Sequence, residues 1–487
     1  MNTTVAIVLV AYIAGVFLIG LRTGKGGDES ESAYFTGDKS FGPLATAISA
    51  GATNSSGWIY IGACAYAYKV GVLSMWMCVG FILGGWIEYL FLARKLRSQG
   101  EELGAIGISD YMKKRLEAQW GEDATSVRTL AAIIMVLFFI PYLSTQLTSA
   151  GKTVNALIDI DYNIGLVFAA IFVIGFCYFG GYKSVIYTDL VQGLIMLFVL
   201  LVAPLLIIFL KLGGWTSFWQ QLMAIDPNLG TYAFGKTGIA GVSLVLGWII
   251  YGIGTIGQPH VLQRYLTAKD DETIKTATWI GITWYLVVMT GSNLLGLCGR
   301  LIYPNMADPE YVFPTMVVDL APSVVSGIVI AAIFSAIAST YSSQLMIVVQ
   351  SIASDLYSGL SKTKKTQKQI VRISQYVMII SGIVSIGIAL LNLDSVFALV
   401  NYAWSALASA FGPTLFLLLF TPSLINKQGT IAGIIVGPVV ATIWYITGLS
   451  SYIHEVAPGM FACIIAVILV TKATSVGFEH RCKEQFE

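Results

Sequence analysis

Residues Ala331 to Leu345 read AAIFSAIASTYSSQL, a run apolar enough to lie within a membrane yet carrying Ser335, Ser339, Thr340, Ser342 and Ser343. At helical spacing Ala336, Ser339, Thr340 and Ser343 share one face. Hydroxyl and carbonyl oxygens suit a hard, weakly bound cation, because several of them replace part of its water shell without a carboxylate's full charge. A sodium site is therefore one reading of this helix. The other is that small hydroxyl residues let membrane helices approach closely and bond to their own backbone.

The rest of the chain has the same apolar character. Of its 487 residues 56% are hydrophobic and only 11% are charged, and mean hydropathy is +0.76. A soluble protein of that length needs far more polar surface, so the class is an all-α, polytopic membrane protein. A net charge of +1 offers nucleic acid no attraction. Cys64, Cys78, Cys177, Cys298, Cys463 and Cys482 are scattered and contain no CxxC or disulfide framework. Met1 to Leu21 lacks the basic start and cleavage site of a signal peptide and reads as a first helix.

With about twenty residues per crossing, apolar segments are expected around Val10, Ser55, Gly80, Phe138, Val173, Phe198, Leu246, Val287, Ile333, Ser381, Phe411, Val436 and Ile465, thirteen in all. If the amino terminus is outside, only Lys69, Lys152, Lys211, Lys236 and Arg300 of the 28 basic residues face out. That bias predicts an outside amino terminus and a cytoplasmic carboxy terminus. Arg264 belongs to the inside set, and Glu88, two turns before Arg94, is expected to pair or snorkel at the inner face. The inside loop 99–126 holds ISDYMKKRLEAQW, predicted as a short amphipathic helix capped by Ser109 or Asp110 in an otherwise solvated connector. The Lys-rich loop around Lys364 reads as an ordinary positive-inside connection.

Two segments are not simple spans. The second clusters Gly51, Asn54, Ser55, Ser56 and Gly57 at mid-depth, and the seventh holds Gly252, Gly254, Gly257 and Pro259. Interrupted helices in corresponding places of two halves point to a transporter binding site, since unwound backbone is tolerated only where it lines a cavity. Segments two to six (approximately 42–213) and seven to eleven (approximately 237–420) then form two inverted five-helix repeats within a single domain, 1–487. The first, twelfth and thirteenth helices, approximately 3–22, 426–446 and 455–472, are peripheral.

Five ordered motifs carry a resemblance. TAISAGATNSSGW from Thr46, GGYKSVIYTDLVQG from Gly180, GQPHVLQRY from Gly257, SAIASTYSSQL from Ser335 and NYAWSALASAFGP from Asn401, with the ending HEVAPGMF from His454, resemble the bacterial sodium/proline symporters of the sodium/solute symporter family. The resemblance implies a leucine-transporter-type five-plus-five fold that imports a small solute with co-transported sodium. It places the main sodium site on the backbone carbonyls of Ala52, Ser55 and Ala336 and the hydroxyls of Ser339 and Thr340. It suggests a second sodium site at Asp189, Ser342 and Ser343, hence two ions per solute if both fill. Asp189 read on its own is a lone intramembrane acid, either functional or a structural group bonded to Tyr187 or Thr188 or paired with Lys183. The family's aspartate on the broken second helix is Asn54 here, which removes a charge beside the ion path.

The resemblance also implies the candidate solute contacts: Trp58, Tyr142 and Gln258 match positions of that family, and Tyr251 and Thr255 stand where it has a tryptophan and a tyrosine; hydroxyls and an amide bond a carboxylate while aromatic faces cover an ammonium or a ring. His260 is expected to make a structural hydrogen bond or to carry a proton. The expected function is sodium-coupled import of proline or another small amino acid across the cytoplasmic (inner) membrane, with lipid and a small solute as partners and no nucleic acid. Proton coupling, or a transporter-like nutrient sensor, are the alternatives. No paired carboxylates, metal cluster or activated nucleophile suggests an enzyme.

Overall fold

The computed structural model describes residues 3–23, 30–158, 160–361, 365–391 and 395–475. Lys25, Lys362, Lys364, Arg481 and Lys483, assigned above to the cytoplasmic side, lie outside the described residues, as does Cys482. Among the described residues there is no β-strand, and a single parallel bridge joins Phe41 to Ala268.

Eleven helical runs among the described residues are long and apolar enough to cross a membrane. One of them, Tyr162–Leu210, has 49 residues and is broken at Gly181, whose φ of 53° and ψ of −154° suit only a residue without Cβ. Another, Gly57–Glu102, is interrupted at Gly71, with φ 62°. The thirteen expected crossings are reached only when each of these two runs is counted twice and Pro43–Ser55 is taken as the front half of the second crossing.

Both expected interruptions are present. The second crossing consists of Pro43–Ser55 and Gly62–Val70, joined through a short turn at Gly57–Ile59. The seventh consists of Gly238–Ile253 and Pro259–Leu266, joined through Gly254–Gly257. Pro259 opens its half-helix at the first-turn position where a missing N–H does no harm. The hydroxyl-bearing helix, Ser323–Gln350, is central: every residue from Val329 to Ser351 is buried, and it packs on Thr3–Thr23, Pro43–Ser55, Thr125–Ile158 and Tyr162–Leu210. Outward-facing Phe198, Leu201, Ile380, Ile383 and Phe461 form an apolar surface suited to lipid.

The 99–126 loop differs from expectation. Its helix, Ile108–Trp120, is capped by Gly107 rather than by Ser109 or Asp110. Asp110 instead accepts the Ile106 amide at 3.2 Å and pairs with Lys114 at 2.9 Å. Ser109 donates to Asp355, which also takes the Arg128 guanidinium at 2.7 Å. These buried polar links, with Tyr111 and Met112 fully enclosed, dock the helix onto the bundle, so it is not a solvated connector.

Candidate functional site

The Pro43–Ser55 helix stops at Ser56, a non-glycine residue held at φ 43° and ψ 174°. A backbone this strained persists only where its surroundings impose it. The imposing contacts are local: Ser56 Oγ accepts from the Trp58 amide at 3.1 Å, and the Gly57 amide donates to Gln146 Oε1 at 3.1 Å. Stopping the helix frees the carbonyls of its last turn. Ser339 Oγ lies 3.3 Å from the Ala52 carbonyl and 3.2 Å from that of Ala336, while Thr340 Oγ1 lies 3.5 Å from Ala52 and 2.9 Å from Thr53.

Those spacings decide what the cluster can hold. A cation with oxygens at about 2.4 Å in octahedral array keeps adjacent oxygens about 3.4 Å apart, close to the three longer separations. The hydroxyl protons now point at the carbonyls, and rotation about one bond would present lone pairs to an ion instead. Ala52, Ala336, Ser339 and Thr340 are thus brought together as expected, with the Thr53 carbonyl an unanticipated fifth oxygen. Ser55 sits at the same helix end, its hydroxyl donating to the Gly51 carbonyl at 2.8 Å and accepting from Trp284 Nε1 at 3.0 Å.

Around Asp189 the arrangement departs from the sequence reading. Arg264, counted above as a cytoplasmic loop charge, is 1% exposed, because the half-helix Pro259–Leu266 runs inward against Pro43–Ser55. Its guanidinium meets Asp189 at 3.1 Å, Ser49 Oγ at 3.1 Å and the His260 carbonyl at 2.7 Å, donates to Ser343 and lies over the Tyr182 ring. Ser49 also donates to Asp189 at 2.6 Å. The partner of Asp189 is therefore none of Tyr187, Thr188 or Lys183; the Thr188 hydroxyl turns back to Ser184. Ser343 joins the cluster through Arg264, whereas the Ser342 hydroxyl donates to the Ser339 carbonyl at 3.0 Å. The positive charge beside Asp189 is Arg264's own.

The solute candidates form two groups. Trp58 stacks on Phe397 with centroids 6.1 Å apart and stands 6.5 Å from Tyr251. Tyr251 donates to Asn401 Oδ1 at 2.8 Å, and Trp404 ties it to Gln258, giving its indole N–H to the Tyr251 carbonyl at 3.2 Å and accepting Gln258 Nε2 at 3.1 Å. Tyr142 faces the His260 ring edge-on at 6.2 Å, with Ser56 and Gln344 towards its hydroxyl. Thr255 stands apart in a network with Asn54, Glu88 and Tyr285. Glu88 is fully buried there and does not snorkel.

Several buried polar atoms have no protein partner: Trp58 Nε1, Gln258 Oε1, both His260 nitrogens and both amide atoms of Gln344. Neither His260 nitrogen makes a hydrogen bond of good geometry; the Thr53 backbone is the nearest partner for the structural bond expected, and the ring is packed against Phe139 and Tyr142. Buried polar groups are rarely left unmatched without a ligand or water to meet them.

A family model described as the sodium:solute symporter family matches residues 34–437. The high-affinity proline transporter of Bacillus subtilis (strain 168) is 32% identical over 446 residues, 91% of this chain and 92% of its own. The osmoregulated proline transporter of the same organism is 31% identical, covering 97% of this chain and 96% of its own. Among solved structures, a Na+-coupled sialic acid symporter superposes with a TM-score of 0.81 at 22% identity, covering 97% of this chain and 98% of that one. That superposition gives the chain a fold of the leucine-transporter type. With both the match and the relatives spanning most of its length, the chain belongs to the sodium:solute symporter family.

Proposed function

We propose that the protein imports a small zwitterionic solute, proline first among the choices, with sodium bound between the break at Ser56 and the Ser323–Gln350 helix. The observation that carries this is the convergence of the Ser339 and Thr340 hydroxyls on the Ala52 carbonyl. The proline transport of the relatives supports the solute, and the unmatched atoms of Trp58, Gln258, His260 and Gln344 supply donors and acceptors for it.

In this mechanism sodium draws the second and ninth crossings together and orders the chamber, after which solute binding permits the inward swing. The repeats at 42–213 and 237–420 are the moving bodies, in a cytoplasmic membrane with the amino terminus outside. One ion suffices: about 2.3 kcal/mol at 100 mV plus about 1.4 kcal/mol for a tenfold gradient supports roughly 500-fold accumulation. Asp189, already neutralised by Arg264, is not needed as a second site or as a proton carrier.

A thermal-shift screen of amino acids, betaines and carboxylates, with sodium or with choline in its place, tests the reading. Stabilisation by proline that requires sodium supports it. Stabilisation by another solute replaces proline, and stabilisation indifferent to sodium refutes the coupling.

A further inference from the structure

Among the described residues Glu88 and Glu455 are the buried carboxylates without a lysine or arginine partner, Glu455 meeting only His454 and Ser405; Asp110, Asp189, Glu310 and Asp355 each have one. It lies in a widened helical turn, Glu88–Leu92, within the third crossing, a kind of irregularity that recurs at functional sites. Its Oε2 accepts from the Tyr285 hydroxyl at 3.1 Å and its Oε1 from the Thr255 hydroxyl at 3.3 Å. Asn54 Nδ2 donates to both of those hydroxyls, at 2.8 Å and 3.1 Å.

The direction of this relay follows from proton counting. Each hydroxyl has one proton and accepts from Asn54; the two hydroxyl oxygens also lie 3.3 Å apart, so at least one proton goes to Glu88 and the other goes either to Glu88 or to the neighbouring hydroxyl. Hydroxyls within reach of both carboxylate oxygens suit an ionised carboxylate. The other titratable groups around it are Tyr89 on its own helix and Tyr265 on Pro259–Leu266, neither of them cationic. At the far end of the relay, Asn54 follows Thr53 in the helix whose freed carbonyls face Ser339 and Thr340. A buried charge with no counterion is retained where a mobile cation meets it.

We propose that Glu88 supplies the negative charge that balances the co-transported sodium, transmitted to the ion site through Tyr285, Thr255 and Asn54. The inference rests on the sodium reading of the Ser56 break. Asp189 does not fill this role, because Arg264 already takes up its charge. Glu88 is a positioning residue for the ion, acting through Asn54 and not as a ligand.

The test measures the sodium concentration for half-maximal solute binding to purified full-length protein. Glu88→Gln raises it about tenfold, the size of effect expected when a charge coupled to the ion through a poorly screened interior is removed. Adding Asn54→Asp to that variant moves the charge to the other end of the relay and restores the requirement to within about threefold. Asn54→Asp alone is the control, since an acid there lies beside the ion path in either case: it lowers the requirement more in the Glu88→Gln background than in the parent, so equal effects in the two backgrounds, or failure of rescue in a folded double variant, overturn the proposal. If Glu88→Gln alone does not fold, Tyr285→Phe, which cuts the shorter link, raises the requirement about threefold; no change there overturns the proposal too. Thr340→Ala separates the two levels: a raised requirement in that variant with none in Glu88→Gln sinks the Glu88 role alone, and no change in either sinks the sodium site itself.

Discussion

Asp189→Asn breaks an ion pair that is 0% exposed on both sides. The variant keeps an amide oxygen for Ser49 and Arg264 but leaves the guanidinium with only neutral acceptors, Ser49, Ser343 and the His260 carbonyl. Removing one partner of a buried pair costs about 3–5 kcal/mol, and the retained amide places this case near the lower end. At about 2.1 cal/mol/K per residue the unfolding entropy of 487 residues is near 1 kcal/mol/K. The melting temperature of the detergent-solubilised protein should therefore fall by about 3 °C. In the double variant Asp189→Asn with Arg264→Gln, most of that loss is recovered, giving a coupling of about 2 kcal/mol in the mutant cycle. Sodium titrations of the double variant should move by less than about twofold, since the pair is removed with no change of net charge and the oxygens of Ala52, Ser339 and Thr340 are untouched. A single variant with unchanged melting and abolished sodium dependence would refute the reasoning and make Asp189 an ion ligand.

Tyr142→Ala removes the ring that faces His260 and should weaken solute binding by about tenfold or more, a loss of about 1.4 kcal/mol, with sodium-induced stabilisation intact; equal loss of both in paired calorimetric titrations would contradict the separation of the two sites. His454, in the connection before the last helix, packs on Trp248 at 4.7 Å and Tyr251 at 4.6 Å, and its burial, opposed by Glu455, holds the imidazole below the ordinary histidine range. The unfolded chain therefore binds that proton more readily, so stability is full above about pH 6.5 and falls below it. His454→Gln should flatten melting temperature between pH 5 and 7, as an unfolding series across about that range will show; an unchanged slope removes the residue from the account.

The fold was legible because its signals are local and repeated. Apolar length marks the crossings, and the Gly- and Ser-rich interruption at Asn54–Gly57 and the Gly257–Pro259 step mark the two breaks that the structure contains. The ion face was legible for the same reason, since helical spacing alone sets Ala336, Ser339 and Thr340 side by side. Charge was misread where tertiary structure overrides position in the chain. Arg264 and Glu88 both border cytoplasmic stretches, and hydropathy cannot tell a charge that leaves the membrane from one that turns inward to a partner on another helix. Arg264 had a cue in Asp189, since an intramembrane acid calls for a buried polar or charged partner. Glu88 had none, because its partners Thr255 and Tyr285 lie on the seventh and eighth crossings. Gln344 was hidden within the hydroxyl-rich run, and only its two unmatched amide atoms single it out.

The central claim is that neutral oxygens from the Ser56 break and from the Ser339–Thr340 face hold one sodium ion, and a sodium titration of solute binding in Thr340→Ala beside Thr340→Ser addresses it directly. The account predicts that the alanine variant needs about five- to tenfold more sodium, a difference of about 1 kcal/mol, while the serine variant, which keeps the hydroxyl 2.9 Å from the Thr53 carbonyl, behaves as the parent does. Identical sodium curves for parent and Thr340→Ala would contradict it.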